Sequence, residues 1–260
     1  MPKIAISGKG GVGKTTLAGM LARQYAADGL PVLAIDADPD ANLASSLGVP
    51  PEAAATISPI AEMEELIEER TGAKPGSSGA YFRLNPRVDD LPDRYALTHE
   101  GVRLMVMGTV DRGGSGCVCP ENVLLKTLVT HLLLQRDDTL IMDMEAGVEH
   151  LGRGTAGNVD AMIVVVEPGL RSVQTAHHVA SLAADLGIKH CLVVGNKVRD
   201  ERDRQFVRDQ VAPLPVLGFM SYNLAVAEAD LAGRSAYGTD PLLEAEVQEI
   251  RRRLEEYRKG

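Results

Sequence analysis

Tryptophan is absent from the 260-residue chain, and aromatic residues make up only 3% of it. Ala, Leu and Val must therefore fill the interior, and a hydrophobic content of 45% is ample for a buried core. Basic residues are outnumbered, 27 Lys and Arg against 36 Asp and Glu, for a net charge of −9. That balance argues against broad nucleic-acid binding, which needs a basic face, and it disfavours an anionic membrane surface. No apolar stretch reaches the length of a membrane span, and with a first strand expected from Lys3 no signal peptide is expected. A cytoplasmic protein is expected. There the three cysteines read as thiols or metal ligands, not as structural disulfides.

The most informative segment is Gly8-Lys9-Gly10-Gly11-Val12-Gly13-Lys14-Thr15-Thr16, which fits G-x-x-x-x-G-K-[ST] and carries an additional lysine, Lys9. Its glycines let the backbone curl so that N–H groups face phosphates. A helix opening at Lys14 adds the positive end of its dipole. Lys14 is placed to bridge the β- and γ-phosphates of a nucleoside triphosphate, and the Thr15 hydroxyl to take a Mg²⁺ coordination position. The apolar strand Lys3–Ser7 before the loop, and the run Leu17, Met20, Leu21, Ala22, Tyr25 after it, supply the required strand–loop–helix context.

Further apolar runs at 31–35, 102–107, 139–142, 161–166, 191–194 and 216–219 alternate with helical patterns at 61–70, 121–134, 173–186, 202–211, 225–232 and 241–258. Strands apolar on both faces and alternating with helices predict a single α/β P-loop NTPase domain over 1–260. Its mostly parallel central sheet has helices on both faces, and the phosphate site lies at the strands' carboxyl ends. The stretch 71–93, with Pro75, Gly76, Gly79, Pro86 and Pro92, reads as a surface excursion and a candidate mobile element.

Acidic residues follow two of these strands. Asp36 and Asp38 end the second one and project to the same side of an extended chain, one suited to hold Mg²⁺ and the other to orient the attacking water. Asp143 ends a Walker-B-like strand and suits the Mg²⁺ shell. Gly147, just beyond it, can donate its N–H to the γ-phosphate and act as a hinge. Asn196-Lys197-Val198-Arg199 is close to the Asn-Lys-x-Asp guanine signature, but Arg199 stands where the guanine-pairing carboxylate would be. ATP is therefore favoured, with Asn196 and Lys197 as nucleotide contacts. The plainer alternative is that Asn196 caps a helix.

Cys117-Val118-Cys119-Pro120 places two thiols at i and i+2, with Cα atoms no more than about 7 Å apart in an extended chain. Pro120 suits a first helical turn and puts Cys119 at its N-cap, where the dipole favours thiolate. Spacing alone leaves metal binding and an incidental thiol pair equally open. One chain offers two thiolates, a poor shell; two facing chains offer four, suited to Zn²⁺, Ni²⁺ or an iron–sulfur cluster. Cys191, opening an apolar strand, reads as a buried hydrophobe; His177 and His178 read as helix surface, and Met105 and Met107 as packing. His150 has a possible role in transmitting nucleotide state, with a helix-surface or core position equally open.

The phosphate loop with Lys9 resembles the deviant Walker A motif of the MinD/ParA/nitrogenase-iron-protein class, and Asp38-Pro39 and Asp143-x-x-Ala146-Gly147 resemble its two switch regions. The resemblance implies an ATP-dependent homodimer with nucleotides sandwiched between subunits. Lys9 would reach the partner's phosphates, and Asp38 would activate water. Gly-Cys-x-Cys-Pro at 116–120, with the extended second switch 143–155, is similar to the CooC-type ATPases. These serve nickel insertion into carbon monoxide dehydrogenase, with a close branch serving acetyl-CoA synthase. The expectation is an ATPase metallochaperone with ATP, Mg²⁺, and Ni²⁺ or Zn²⁺ shared across a dimer at Cys117 and Cys119. Its alternatives are an ATP-gated iron–sulfur redox or scaffold protein and a MinD/ParA-type spatial switch.

Overall fold

A computed structural model describes residues 1–76, 81–108, 119–148, 151 and 155–259. Eight strands form one sheet: β1 (Lys3–Gly8), β2 (Val32–Ala37), β3 (Leu97–His99), β4 (Val102–Val106), β5 (Thr139–Met144), β6 (Ala161–Val166), β7 (Cys191–Val198) and β8 (Val216–Ser221). Their spatial order is β3-β4-β2-β5-β1-β6-β7-β8, parallel throughout except for the antiparallel edge pair β3–β4. β1 runs between β5 and β6 while its sequence neighbour β2 lies beyond β5. The chain reverses its winding there, which opens a crevice at the strands' carboxyl ends.

Alternation along the strands splits the core in two. Ile4 and Ile6 of β1 join a cluster built with helix α1 (Lys14–Ala27), the short α2 (Leu43–Ser46) and, after α3 (Pro51–Ala54), the C-terminal helix. Ala5 of β1 faces the other cluster, which includes residues of α4 (Glu64–Thr71), α5 (Leu91–Tyr95), α6 (Pro120–Leu134), α7 (Leu170–Leu186) and α8 (Glu201–Val211). The remaining helices are α9 (Leu224–Leu231) and α10 (Pro241–Lys259). Leu243, Val247, Ile250 and Leu254 of α10 are at most 1% exposed. Each contributes about 1.5–3 kcal/mol through burial, so this stripe docks on the sheet. No described helix is long and apolar enough to cross a membrane.

Some expected boundaries change. The helix expected over 61–70 is a 3-10 turn, Ile60–Glu62, followed by α4, with the break at Met63. β7 continues past Val194 through Asn196 and Lys197, because Gly195 and Val198 still pair with β8. The 71–93 excursion is anchored near its C-terminal end. Arg70, 7% exposed, makes a two-pronged pair with Asp90 at 2.9 and 2.7 Å, and Leu91 is fully buried. Lys3 fastens the far end of α6, its Nζ donating to the carbonyls of Leu132, Arg136 and Asp138 at 3.0, 2.7 and 3.1 Å. Met105 and Met107 are core, and Cys191 packs against it, its thiol pushed up to about 11 by burial. His177 lies on the exposed side of α7, against the Gln210 carbonyl.

Candidate functional site

The crevice holds a cleft of about 660 Å³ lined by the phosphate loop, Asp38, Asn196 and a far wall from β8 and α9. Its floor is the turn from β1 into α1. Gly8 has φ 143° and a Cβ there would stand 2.5 Å from the Val165 carbonyl of β6, so no larger residue fits. Gly13, at φ 95°, caps α1, and its Cβ would fall 2.1 Å from Asn196 Nδ2. The turn leaves the N-terminus of α1 at the cleft, which Gly13, Lys14, Thr15 and Thr16 line, and helix N–H groups and the helix dipole there would together favour a phosphate.

Asn196 therefore has a structural task that its motif did not announce. Its Nδ2 donates to the Val12 carbonyl at 2.7 Å, and its Oδ1 accepts from the Lys197 amide at 2.7 Å. It does not cap a helix: Asp200 does that for α8, accepting from Arg202 and Asp203. Lys197, at a left-handed φ of 56°, extends Nζ to the Gly11 carbonyl at 2.6 Å and pairs with Glu167 at 3.6 Å. Two adjacent side chains of β7 thus prop the phosphate loop. Arg199 is engaged elsewhere, with Asp203 at 2.7 and 3.0 Å.

The charged groups converge beside this loop. Lys14 is 6% exposed and its Nζ lies 3.2 Å from Asp38 Oδ2. Asp36 and Asp143 face each other as register partners on β2 and β5, with exposures of 1% and 0%. Asp36 Oδ2 accepts from the Leu43 amide at 2.8 Å and its Oδ1 from the Asp38 amide at 3.3 Å, so it also shapes the turn leading to α2. Both oxygens of Asp143 have no hydrogen-bond partner among the described residues. Burial raises the Asp143 carboxyl to about 7, opposed chiefly by the neighbouring Thr15 hydroxyl, which stands close without a hydrogen bond of ordinary geometry. Burial also raises Asp36 to about 6, against the pull of its backbone N–H partners.

A buried carboxylate with no partner is costly, and a hard divalent cation is what an oxygen set of this kind accommodates. Asp143, Thr15 and Asp36 therefore fit a Mg²⁺ ion beside a nucleotide's phosphates. Lys9, next in the chain to the cleft-lining Gly10, is half-buried and has no ion-pair partner among the described residues. Gly147 follows Asp143 in a tight turn, its amide donating to the Glu145 carbonyl at 2.7 Å. Gly10, Gly11 and Thr16 lie along the same cleft.

At the other end of the molecule's motif set, Cys119 is the N-cap of α6 with Pro120 in the first turn, as its spacing predicts. It is 8% exposed, and the adjacent Glu121, 5% exposed, has an Oε2 with no partner among the described residues. Cys117 and His150 lie outside the described residues. Among the described residues no group of three or more His, Cys, Asp or Glu is assembled for a metal ion. Sequence reasoning missed the far wall of the cleft, where Met220, Tyr222, Asn223 and Arg234 stand. The signal available was Asn223, two residues past the end of β8, which caps α9 by accepting from the Ala225 amide.

Residues 3–236 match the model of the CobQ/CobB/MinD/ParA nucleotide-binding domain. The carbon monoxide dehydrogenase accessory protein CooC of Rhodospirillum rubrum is 49% identical over 239 residues, 92% of this chain and 90% of that one. An uncharacterized ATP-binding protein of Methanocaldococcus jannaschii is 47% identical over 235 residues, 89% of this chain and 90% of that one. In fold, the chain is similar to the MinC:MinD cell division complex of Aquifex aeolicus, with a TM-score of 0.69 at 19% identity, covering 98% of this chain and 96% of that one. With its lysine-bearing phosphate loop, the chain is an ATPase that belongs to the CobQ/CobB/MinD/ParA nucleotide-binding family, in the branch that includes CooC.

Proposed function

We propose that this ATPase acts in the cytoplasm as a homodimeric maturation factor, coupling ATP binding and hydrolysis to nickel insertion into carbon monoxide dehydrogenase or acetyl-CoA synthase. The likeness to CooC, extending over nearly the whole of both chains, carries this reading. The cysteine pair beside Pro120 agrees with it.

In this reading Lys14 leaves Asp38 for the β- and γ-phosphates, and Asp38 turns to orient the attacking water. Thr15, Asp143 and Asp36 would hold Mg²⁺, which would supply positive charge to offset that of the phosphates. Lys9 reaches across the dimer to the partner's phosphates, stabilising charge that develops as the terminal phosphoryl group departs. Gly147 donates its amide to the γ-phosphate and reports its presence to the segment beyond. Cys117 and Cys119 from both chains hold the nickel cargo, or Zn²⁺ in its place, as thiolates.

The reading is tested by incubating nickel-free carbon monoxide dehydrogenase with Ni²⁺, ATP and this protein under anaerobic conditions. Activation should exceed that with Ni²⁺ alone, and ADP should not replace ATP. Equal activation without the protein overturns the assignment.

A further inference from the structure

The last side chain of β1 does something that no motif assigns. Ser7 immediately precedes Gly8 of the phosphate loop and is fully buried. Its Oγ donates to the Glu145 carbonyl at 2.7 Å, with the Gly147 carbonyl second at 3.5 Å. Ile6 pairs in register with Asp143, so Ser7 reaches just beyond the end of the shared ladder, where β5 turns away from the sheet. A hydroxyl has one hydrogen to give, and the shorter contact takes it. The Glu145 carbonyl consequently accepts two bonds at once, from Ser7 Oγ and from the Gly147 amide, each at 2.7 Å.

These two bonds have different fates when a γ-phosphate arrives. The Gly147 amide must leave Glu145 to reach the phosphate. The Ser7 hydroxyl has no reason to move, because β1 is held on both sides by β5 and β6. Glu145 is then a fixed point and Gly147 the part that swings about it. We infer that Ser7 is a positioning residue for ATP hydrolysis: its hydroxyl anchors the Glu145 carbonyl so that the Gly147 amide turns toward the γ-phosphate on a defined arc.

The inference rests on the reading of Gly147 as the γ-phosphate donor. It makes Ser7 a link between the strand that carries the phosphate loop and the segment that senses the terminal phosphate. Preorganised donors of this kind act through placement, so losing the anchor should spare the diphosphate contacts and weaken those unique to ATP. Alanine fits the Ser7 position without added volume, and threonine restores the hydroxyl.

The test measures turnover, ADP affinity and affinity for a non-hydrolysable ATP analogue in the wild type, Ser7→Ala and Ser7→Thr. Ser7→Ala should keep ADP affinity within about twofold while analogue affinity and kcat each fall about tenfold, and Ser7→Thr should recover most of both. A merely structural serine predicts a lower Tm with kcat at saturating ATP and the ADP-to-analogue ratio unchanged, and that result overturns the inference. Gly147→Pro, which has no amide hydrogen, tests the underlying reading separately. If it loses the preference for the analogue over ADP while Ser7→Ala keeps it, the inference about Ser7 fails alone. If Gly147→Pro keeps that preference, the Gly147 reading fails and takes the role given to Ser7 with it.

Discussion

Lys14 Nζ and Asp38 Oδ2 stand 3.2 Å apart, so the lysine of the phosphate loop and the carboxylate expected to activate water form an ion pair with each other. In the proposed mechanism a γ-phosphate would compete for Lys14 and release Asp38, making phosphate binding and the freeing of the water-orienting group one event.

Asp38→Asn should therefore bind ATP at least as tightly as the wild type, because Lys14 no longer has an anionic partner to leave. Hydrolysis should slow at least tenfold, and the ATP-bound dimer should accumulate. Parallel measurement of ATP affinity, single-turnover hydrolysis and molecular mass decides this. Wild-type turnover removes Asp38 from the mechanism.

Lys9 is half-buried with no ion-pair partner among the described residues, and in the proposed mechanism it would reach phosphates on another subunit. Lys9→Ala should keep nucleotide affinity through Lys14 yet lose dimerisation-dependent hydrolysis. Mixing it with a hydrolysis-deficient subunit that retains Lys9 should restore turnover in the Lys9→Ala subunit's own site. Full activity of the Lys9→Ala homodimer refutes the cross-subunit role.

The buried carboxylates make metal-free stability depend on pH. Burial raises Asp36 from 3.8 to about 6 and Asp143 from 3.8 to about 7, so the fold favours their neutral forms. That contribution is complete below about pH 4 and is lost as pH rises through 6 to 7, when both must carry charge. In the absence of nucleotide and metal, Asp143→Asn should raise stability at pH 8 by on the order of 2–4 kcal/mol and change it little at pH 4. Urea denaturation at the two pH values measures the difference. The same variant should gain less from Mg²⁺ and ADP than the wild type does, since the oxygen pair that suits the ion is gone.

The sheet was legible because every central strand is apolar on both faces, and the expected strands fall within a few residues of the observed ones. The phosphate loop was legible because its glycines and lysines are contiguous. What escaped the sequence depends on partners far along the chain. Asn196 is 184 residues from Val12, whose carbonyl it holds, and Ser7 is 138 residues from Glu145. No local pattern records such pairings. α2 and α3, at four residues each, are too short to show a helical period, and the three-residue β3 is defined by its antiparallel partner β4. The guanine-like signature at 196–199 was legible as a motif, yet the propping of the loop by Asn196 and Lys197 emerged only once β7 lay beside it.

That propping separates two roles for Asn196. Asn196→Ala removes the hydrogen bond to Val12 O, so affinities for ADP and ATP should fall together, by about tenfold if one buried hydrogen bond is worth about 1–1.5 kcal/mol. The preference for adenine over guanine nucleotides should stay the same. Isothermal titration with ADP and GDP measures both quantities. A change in base preference at unchanged ADP affinity would return Asn196 to base reading alone.

Cys119 is 8% exposed at the N-cap of α6, so a metal shared between subunits requires its thiol to be uncovered as the dimer forms. Two thiolates from one chain make an incomplete shell, and four from two chains complete it. Binding should then follow one ion per dimer, and metal should promote dimerisation even without ATP, by the linkage that favours whichever state binds it. Affinity should fall as pH is lowered, because each thiol must lose its proton to ligate. Replacing Cys117 and Cys119 together by Ser should abolish stoichiometric Zn²⁺ and Ni²⁺ binding while sparing ATP binding and the folded monomer. Anaerobic titration followed by sedimentation resolves stoichiometry and assembly in one preparation. One ion per dimer at wild-type affinity in the double variant would place the metal site elsewhere and leave the maturation role without its chemical basis.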